Sequence, residues 1–282
     1  MHKTLRSGAF ALILSMGMWG CGDDDNDPRI TGPDFKQGPG RVYPIKSVSF
    51  PSIDGISVGA LFGQIEGSQE PRPVVILIHD FILDNSEWFQ TDFFVELLER
   101  GYLPLAINLR GHGIQGLGNT PLPEDRQFLQ LEDLENMHLD VQAALNWLRS
   151  QPAADVSRIA VVGSGVGGNV AYVSMGVFPQ QIKTVVALSP GLWDNTLQPI
   201  VIGAGLDPFS PHSILFLVGS EDVTITQDGE ELNFPTFSNN LASITADPKT
   251  LAVFDGIADH ASQLLLVQGV SEQIFTWLET HL

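Results

Sequence analysis

The sequence predicts an α/β fold with a doubly wound, mostly parallel sheet. Six short apolar runs lack the polar alternation of a half-exposed strand, as expected of strands that helices cover on both faces. Helical spacing fills the intervals between the runs, and strands that alternate with helices are joined by right-handed crossovers. The runs are Val74–Ile78, Leu103–Ile107, Arg158–Val162, Thr184–Leu188, Ile214–Val218 and Thr250–Phe254. Active centres in such sheets lie beyond the carboxyl ends of the strands.

A β-hairpin is predicted before the first of these runs. Val48–Ile53 and Ile56–Phe62 flank Asp54-Gly55, and an Asp-Gly pair between β-favouring runs is typical of a tight hairpin turn. The segment Leu192–His212 is richer in Pro, Gly and Asp than its neighbours, which predicts a small cap over the carboxyl edge of the sheet.

Two segments carry the clearest helical patterns, with apolar residues spaced three and four apart. Their apolar residues are Val141, Ala144, Leu145 and Leu148 in the first, and Ile274, Trp277 and Leu278 in the second. Each segment is therefore predicted to pack one face against the sheet.

The first 20 residues have the composition of an export signal. Basic residues precede an apolar stretch, Gly8–Trp19, that is too short to span a bilayer. The stretch is followed by Gly20-Cys21, which resembles the cleavage box of bacterial lipoproteins, although Trp19 is bulkier than that box usually accepts. The sequence thus predicts a signal peptide over residues 1–20 and acylation of Cys21. An ordinary secretory signal with an incidental cysteine is the alternative.

Residues 21–40 carry five aspartates among several Gly and Pro, which predicts a flexible acidic tether. The whole chain has a formal charge of −19 at pH 7, so nucleic acid and anionic head groups are disfavoured as partners. Membrane contact is therefore predicted through the lipid anchor only, in the cell envelope, at the outer membrane or the periplasmic face. Gly22 does not resemble the inner-membrane retention signal of lipoproteins, which favours the outer membrane. Cys21 is the only cysteine, so an intramolecular disulfide is excluded.

Five short motifs stand at the ends of predicted strands. They are His79-Asp80-Phe81, Asn108-Leu109-Arg110-Gly111-His112-Gly113, Gly163-Ser164-Gly165-Val166-Gly167-Gly168, Gly219-Ser220-Glu221-Asp222 and Ala258-Asp259-His260. They resemble, in order, the HG loop, the D-x-R-G-x-G loop, the nucleophile elbow, the acid loop and the histidine loop of the α/β-hydrolase superfamily. The first two each contain one substitution. The resemblance is to the dienelactone-hydrolase-like and esterase branches, and it implies one α/β-hydrolase domain over residues 41–282.

The resemblance places Gly165 where the superfamily has its nucleophilic serine. A register shifted by one residue would put Ser164 there, but Gly163 and Gly167 would then lose their spacing. Glycine relaxes the strained elbow conformation and removes the hydroxyl. Ser164 is predicted to point away from the catalytic edge, with a displaced nucleophile as its alternative role. Gly165→Ser would accordingly supply the missing hydroxyl.

The remaining site residues also follow from the resemblance. His260 matches the triad base and Asp222 its carboxylate, with a solvent-facing histidine and Glu221 as the respective alternatives. The backbone N–H groups of Phe81 and Val166 match the oxyanion hole, so a polarising site for a carbonyl or anion is expected to remain.

No cofactor or metal is predicted. His79 and His112 are expected to tie strand-end loops together, and no spacing typical of metal-binding histidines occurs. The glycines of Gly163–Gly168 do not fit a dinucleotide-binding loop, and no P-loop is present.

Because Gly165 provides no nucleophilic hydroxyl, the first hypothesis is that the protein is an envelope lipoprotein that cannot form an acyl-enzyme. Such a protein would bind a small ester or acyl ligand or serve a noncatalytic role. A second hypothesis is an active carboxylic ester hydrolase that uses Ser164, or a water activated by His260 and Asp222. A third is a surface interaction module whose pocket is collapsed or is filled by side chains of the segment Leu192–His212. The identity of the ligand and the oligomeric state are left open by the sequence.

Overall fold

The computed structural model describes residues 43–67, 70–113, 120–122, 129–191, 211–226 and 229–282. The predicted signal peptide, Cys21 and the predicted tether lie outside these residues. The same is true of the predicted cap apart from its last two residues, and the last of them, His212, instead begins a strand of the sheet.

The described residues form an eight-stranded sheet and a separate two-stranded sheet. The large sheet has the order β1-β2-β4-β3-β5-β6-β7-β10. Its strands are β1 (Ile45–Pro51), β2 (Ser57–Gly63), β3 (Arg72–Ile78), β4 (Leu103–Ile107), β5 (Ala154–Ser164), β6 (Thr184–Leu188), β7 (His212–Gly219) and β10 (Ala246–Phe254). The small sheet pairs β8 (Val223–Ile225) with β9 (Glu231–Asn233).

Strand directions follow the predicted fold class. β1 and β2 are antiparallel and β2 is antiparallel to β4, whereas β4, β3, β5, β6, β7 and β10 run parallel to their neighbours. The predicted doubly wound sheet and its N-terminal hairpin are therefore confirmed.

Helices occupy the intervals between the strands. They are α1 (Glu87–Gln90), α2 (Phe93–Glu99), α3 (Leu131–Glu135), α4 (Met137–Leu148), α5 (Val166–Val177), α6 (Phe234–Ile244) and α7 (Val270–His281), with a 3₁₀ helix at Ala261–Leu266. The two helices with the clearest sequence patterns are α4 and α7. Among the residues that the structure describes, no helix is both long and apolar enough to cross a membrane.

The central strands are buried on both faces, which is why their sequences lack polar alternation. In β3, Val74, Ile76 and Ile78 pack on the side of α4 and α5. Val75 and Leu77 pack on the opposite side, with α2 and α7. Successive side chains of a strand point to opposite faces, so one apolar run contributes to both layers of the core.

A buried ion-pair cluster joins the hairpin turn to the loop after β4. The side chain of Arg110 is 2% exposed, and its Nη2 donates to Asp140 Oδ1 at 2.7 Å. Its Nη1 donates to Asp54 Oδ2, also at 2.7 Å. Asp54 belongs to the turn between β1 and β2, and Asp140 lies in α4. The guanidinium thus connects three segments that are distant in the sequence.

Candidate active site

The turn from β5 into α5 has the geometry of the predicted elbow. Gly165 follows the last residue of β5 and precedes the first residue of α5, with φ 53° and ψ −116°. Residues with a Cβ rarely adopt positive φ, so glycine suits this position. A Cβ on Gly163 would lie 2.1 Å from the carbonyl oxygen of Gly167. Strand and helix therefore approach too closely for a side chain at residue 163.

Ser164 is completely buried behind this turn. Its hydroxyl donates to Glu87 Oε1 at 2.5 Å and accepts from the amide of Ser262 at 2.9 Å. The other carboxylate oxygen of Glu87 accepts from the amide of Asp80 at 2.9 Å. Burial raises the pKa of Glu87 above its ordinary value, although these hydrogen bonds oppose the shift. Ser164 thus belongs to a buried polar network that connects the end of β5 to the segments that follow β3 and β10.

The structure brings Asp222 and His260 together. Nδ1 of His260 lies 3.0 Å from each carboxylate oxygen of Asp222, which is 1% exposed. Ser189 donates a further hydrogen bond to Asp222 Oδ2 at 2.6 Å. The ring of Phe234 packs against the imidazole, with 4.2 Å between the ring centroids. These contacts fix the orientation of the imidazole, and Asp222, not Glu221, is the carboxylate that reaches it.

A second carboxylate, which the sequence motifs did not assign to the site, occupies the expected oxyanion position. Asp80 Oδ1 accepts hydrogen bonds from the amide of Phe81 at 2.7 Å and from the amide of Val166 at 3.0 Å. Asp80 Oδ2 lies 3.6 Å from Nε2 of His260. The chain's own carboxylate therefore occupies the two amides at which the sequence predicts a polarising site for a carbonyl or an anion.

The position of Asp80 also affects residue 165. A Cβ on Gly165 would lie 2.1 Å from Asp80 Oδ1 and 2.4 Å from Asp80 Cγ. Such distances are far below van der Waals contact, so Gly165→Ser alone cannot supply a hydroxyl without displacing Asp80. The one sequence signal of this arrangement was the aspartate in His79-Asp80, where the superfamily motif has glycine.

The site is an imidazolium between two carboxylates. Burial alone would lower the pKa of His260, but contact with the carboxylates of Asp222 and Asp80 outweighs burial and raises it to about 9. Burial would raise the pKa of Asp80, but His260 and the two amides hold it below its ordinary value. His260 therefore carries a proton at neutral pH and has no lone pair with which to accept another.

Comparison with known proteins identifies the family to which the chain belongs. The family model for Hydrolase_4, serine aminopeptidase S33, matches residues 69–214. The chain belongs to this family. It is also 32% identical over 130 residues to a serine hydrolase-like protein of Danio rerio, a match that covers 46% of this chain and 34% of that protein. The chain thus spans about a third of the length of this curated relative.

Solved structures show the fold of this S33 family member at low sequence identity. An esterase of Pyrococcus furiosus has a TM-score of 0.60 and 16% identity, over 85% of this chain and 93% of that one. An acetyl xylan esterase of Paenibacillus sp. has a TM-score of 0.62 and 16% identity, over 88% and 87%. A dienelactone hydrolase of Anabaena variabilis has a TM-score of 0.59 and 16% identity, over 85% and 99%. The predicted α/β-hydrolase fold is thereby confirmed.

The two loop histidines of this S33 protein hold its strand-end loops. His79 is fully buried, with Nδ1 2.6 Å from the carbonyl oxygen of Asp80 and Nε2 3.1 Å from the amide of Leu109. Burial lowers the pKa of His79 to about 3, so the ring is neutral and its Nδ1–H donates. Nε2 of His112 lies 2.6 Å from the carbonyl oxygen of Phe81. Within the described ranges, no group of three or more His, Cys, Asp or Glu side chains could hold a metal ion.

We expect the free energy of unfolding to fall at alkaline pH, because the ion pairs of His260 are lost when its imidazolium is deprotonated. Its folded-state pKa of about 9 exceeds the ordinary value of 6.5. The stabilisation is therefore complete below about pH 6.5 and is lost as the pH rises through 9. Urea unfolding at pH 6 and pH 9.5 should show wild type losing on the order of 2 kcal/mol more than His260→Asn. Equal losses in the two proteins would show that His260 titrates normally.

Proposed function

We propose that this chain is a lipid-anchored envelope protein of the S33 family that does not act as a serine hydrolase. The observation that carries the proposal is the pair of hydrogen bonds from Phe81 and Val166 to Asp80. Acyl transfer to serine needs a hydroxyl on the elbow, a base able to accept its proton and free N–H groups for the oxyanion. Here residue 165 is glycine, His260 is protonated and the amides are engaged.

The same contacts restrict the ligand that we propose. An ester or acyl carbonyl cannot accept from the amides of Phe81 and Val166 while Asp80 Oδ1 does. The side chain of His260 is 29% exposed. A small ester or acyl ligand would therefore bind beside the imidazole and not in the oxyanion position.

The contacts argue against the two routes proposed for an active ester hydrolase. The hydroxyl of Ser164 is buried and donates to Glu87, so it has neither access to a substrate nor an imidazole as its base. A protonated His260 cannot activate a water molecule for attack on an ester carbonyl. The names of the solved neighbours, an esterase and an acetyl xylan esterase among them, describe those proteins, whose identity to this chain is too low to transfer an activity.

A fluorophosphonate probe tests the proposal, because it labels an activated serine hydroxyl. Purified wild type is expected to show no adduct by intact mass spectrometry and no hydrolysis of p-nitrophenyl acetate above the buffer rate. Ser164→Ala should give the same result, with an active serine esterase as the positive control. Labelling of wild type that disappears in Ser164→Ala would contradict the proposal and identify Ser164 as the nucleophile.

The proposed anchor is tested separately. Wild type expressed in a bacterial host is expected in the detergent-rich phase after phase partitioning, because an acylated Cys21 binds lipid. Cys21→Ser should move the protein to the aqueous phase or leave it unprocessed. If wild type already partitions into the aqueous phase, the proposed lipid anchor is wrong.

A further inference from the structure

Strand β10 forms one edge of the large sheet. Among the residues that the structure describes, its backbone pairs with β7 on one side and with no strand on the other. The carbonyl oxygen of Phe254 accepts from the amide of Ser220, which directly follows β7, so the backbone groups of Phe254 face β7. Backbone groups alternate between the two sides of a strand, so those of Leu251 and Val253 point away from the sheet. An edge of this kind is a template for a further strand.

The two halves of β10 differ in how well this edge is protected. The first half contains Asp247 and Pro248, and its pairing with β7 includes a register shift. Charges, prolines and irregular pairing are the features that keep an edge strand from pairing with another chain. The second half, Thr250–Phe254, has no charge and no proline, and Val253 is 50% exposed. Thr250–Phe254 is therefore the open edge of the sheet.

The opposite edge of the sheet, β1, is protected along its length. Its exposed residues are Lys46, Ser47, Ser49 and Pro51, whereas its large apolar side chains are buried or half-buried. A strand added at β1 would therefore meet a lysine, two serines and a proline. A strand added at the open edge would instead cover an exposed valine.

We propose that the open edge pairs antiparallel with the open edge of a second copy of this chain, about a two-fold axis at Ala252. The same segment then contributes to both sides of the interface, as in other two-fold dimers. The two large sheets become one continuous sheet. The outward backbone groups of Leu251 and Val253 gain hydrogen-bond partners. This inference concerns the edge of the sheet and is independent of the chemistry at His260.

Two charged residues, one on each side of the open edge, determine the register. Lys249 precedes the open edge and Asp255 follows it, each three residues from Ala252. An axis at Ala252 therefore sets Lys249 of each copy opposite Asp255 of the other. Opposite charges at facing positions of an antiparallel pair stabilise it. Nζ of Lys249 donates to the carbonyl oxygen of Thr245 at 2.6 Å, and it exchanges this partner for the carboxylate.

The neighbouring registers lack this complementarity. An axis at Leu251 would set Asp247 opposite Asp255 of the second copy, and like charges at facing positions destabilise a pair. An axis at Val253 would leave Asp255 opposite an apolar residue, Leu251. An axis between two residues would set outward backbone groups against groups that face β7.

The side chains also fit an axis at Ala252. Because Leu251 and Val253 carry the outward backbone groups, they form the hydrogen-bonded pairs and Ala252 faces Ala252 in a non-hydrogen-bonded pair. The Cα atoms of such a pair are about 4.5 Å apart, which suits a small side chain. On the other face of the sheet, Leu251 lies opposite Val253 of the second copy. The half-exposed valine is thereby covered.

The charge of the whole chain opposes this association. Each copy carries a formal charge of −19. At physiological ionic strength, charges more than about 8 Å apart are largely screened from each other, whereas Lys249 and Asp255 face each other directly. Dimerisation is therefore expected at physiological ionic strength and should weaken when the salt concentration is lowered.

The oligomeric state of purified Cys21→Ser protein tests the proposal, because this variant removes the proposed lipid anchor. Sedimentation at increasing protein concentration should approach twice the mass of one chain. Val253→Arg places like charges near the axis and should raise the dissociation constant at least about tenfold. Val156→Arg is the matched control, because Val156 is 42% exposed and belongs to β5. Circular dichroism and the melting temperature show whether each variant is folded.

A charge exchange tests the register. Lys249→Asp and Asp255→Lys should each raise the dissociation constant about threefold to tenfold, because each sets like charges opposite each other in both halves of the interface. The double variant Lys249→Asp/Asp255→Lys restores opposite charges and should dimerise like the parent protein. A double variant as weak as the single variants would overturn the proposed pairing.

A cross-link tests the position of the axis in the same Cys21→Ser protein, which has no other cysteine. Ala252→Cys should form a disulfide-linked dimer under mild oxidation, because about 4.5 Å between Cα atoms is within disulfide range. Thr250→Cys should not, since its two copies would lie four residues apart along the paired strands, about 13 Å.

Three results would overturn the proposal. One is a monomer at all concentrations, which would leave the open edge to a different protein or to solvent. Another is a dimer that Val253→Arg does not weaken, which would place the interface elsewhere. The third is a cross-link through Thr250→Cys without one through Ala252→Cys.

Discussion

The double variant Asp80→Gly/Gly165→Ser is expected to react with a fluorophosphonate probe and to hydrolyse p-nitrophenyl acetate, whereas Gly165→Ser alone does neither. In the single variant the new Cβ would lie 2.1 Å from Asp80 Oδ1. Removing that carboxylate makes room for the hydroxyl and frees the amides of Phe81 and Val166. It also removes one of the two charges that raise the pKa of His260.

The increase in turnover should be large, because the double variant acquires a nucleophilic hydroxyl, a general base and free oxyanion donors at the same time. Positioned general-base catalysis is worth about 10² to 10⁴-fold, and an oxyanion donor about 10² to 10³-fold. We therefore expect turnover at least about 10³-fold above wild type. The new serine costs about 1 to 3 kcal/mol of stability, since it is forced into the conformation of Gly165. Melting temperatures of all variants are measured alongside the activity.

Two controls identify the source of the gain. Asp80→Gly alone frees the amides but supplies no hydroxyl, so it should remain unlabelled. Adding His260→Asn to the double variant should abolish both labelling and turnover. If Gly165→Ser alone reacts as fast as the double variant, Asp80 does not block the elbow. If the double variant folds but stays inert, His260 does not act as its base.

Asp140→Asn is expected to lower the free energy of unfolding by about 3 kcal/mol, because it removes the carboxylate that balances the buried guanidinium of Arg110. Asp140 Oδ2 accepts from both the backbone amide and Nε of Arg110, and Oδ1 accepts from Nη2. An amide in its place would direct its own N–H groups at a donor of Arg110. Asp54, whose side chain is 30% exposed, offers only partial compensation.

Glu272→Gln is the matched control for this effect. It removes the same charge from an exposed ion pair with Arg100, in which the side chain of Glu272 is 68% exposed. Exposed pairs contribute about 0 to 1 kcal/mol, so urea unfolding should detect little change. Equal losses in Asp140→Asn and Glu272→Gln would show that burial does not strengthen the cluster around Arg110.

Much of the fold could be predicted from the sequence because its signals are local. The continuous apolar runs mark central strands, and the Asp54-Gly55 pair marks the hairpin turn between β1 and β2. Four runs proved longer in the structure than their apolar parts, namely β3, β5, β7 and β10, and β5 begins at Ala154. The added residues at the ends of these strands extend the pairing between neighbouring strands, which no hydrophobic pattern records.

The sequence by itself determined the strand-end positions of Gly165, Asp222 and His260, because parallel strands bring their carboxyl ends to one edge. Only the tertiary structure decided what Asp80 does there. The pairing of β3 with β5 sets Ile78 opposite Gly163, so the residues that follow the two strands meet. That meeting places a carboxylate on the amide of Val166 and beside His260. Charge, pKa and steric exclusion depend on distances through space, and the distances between residues far apart in the chain are set by the order of strands in the sheet.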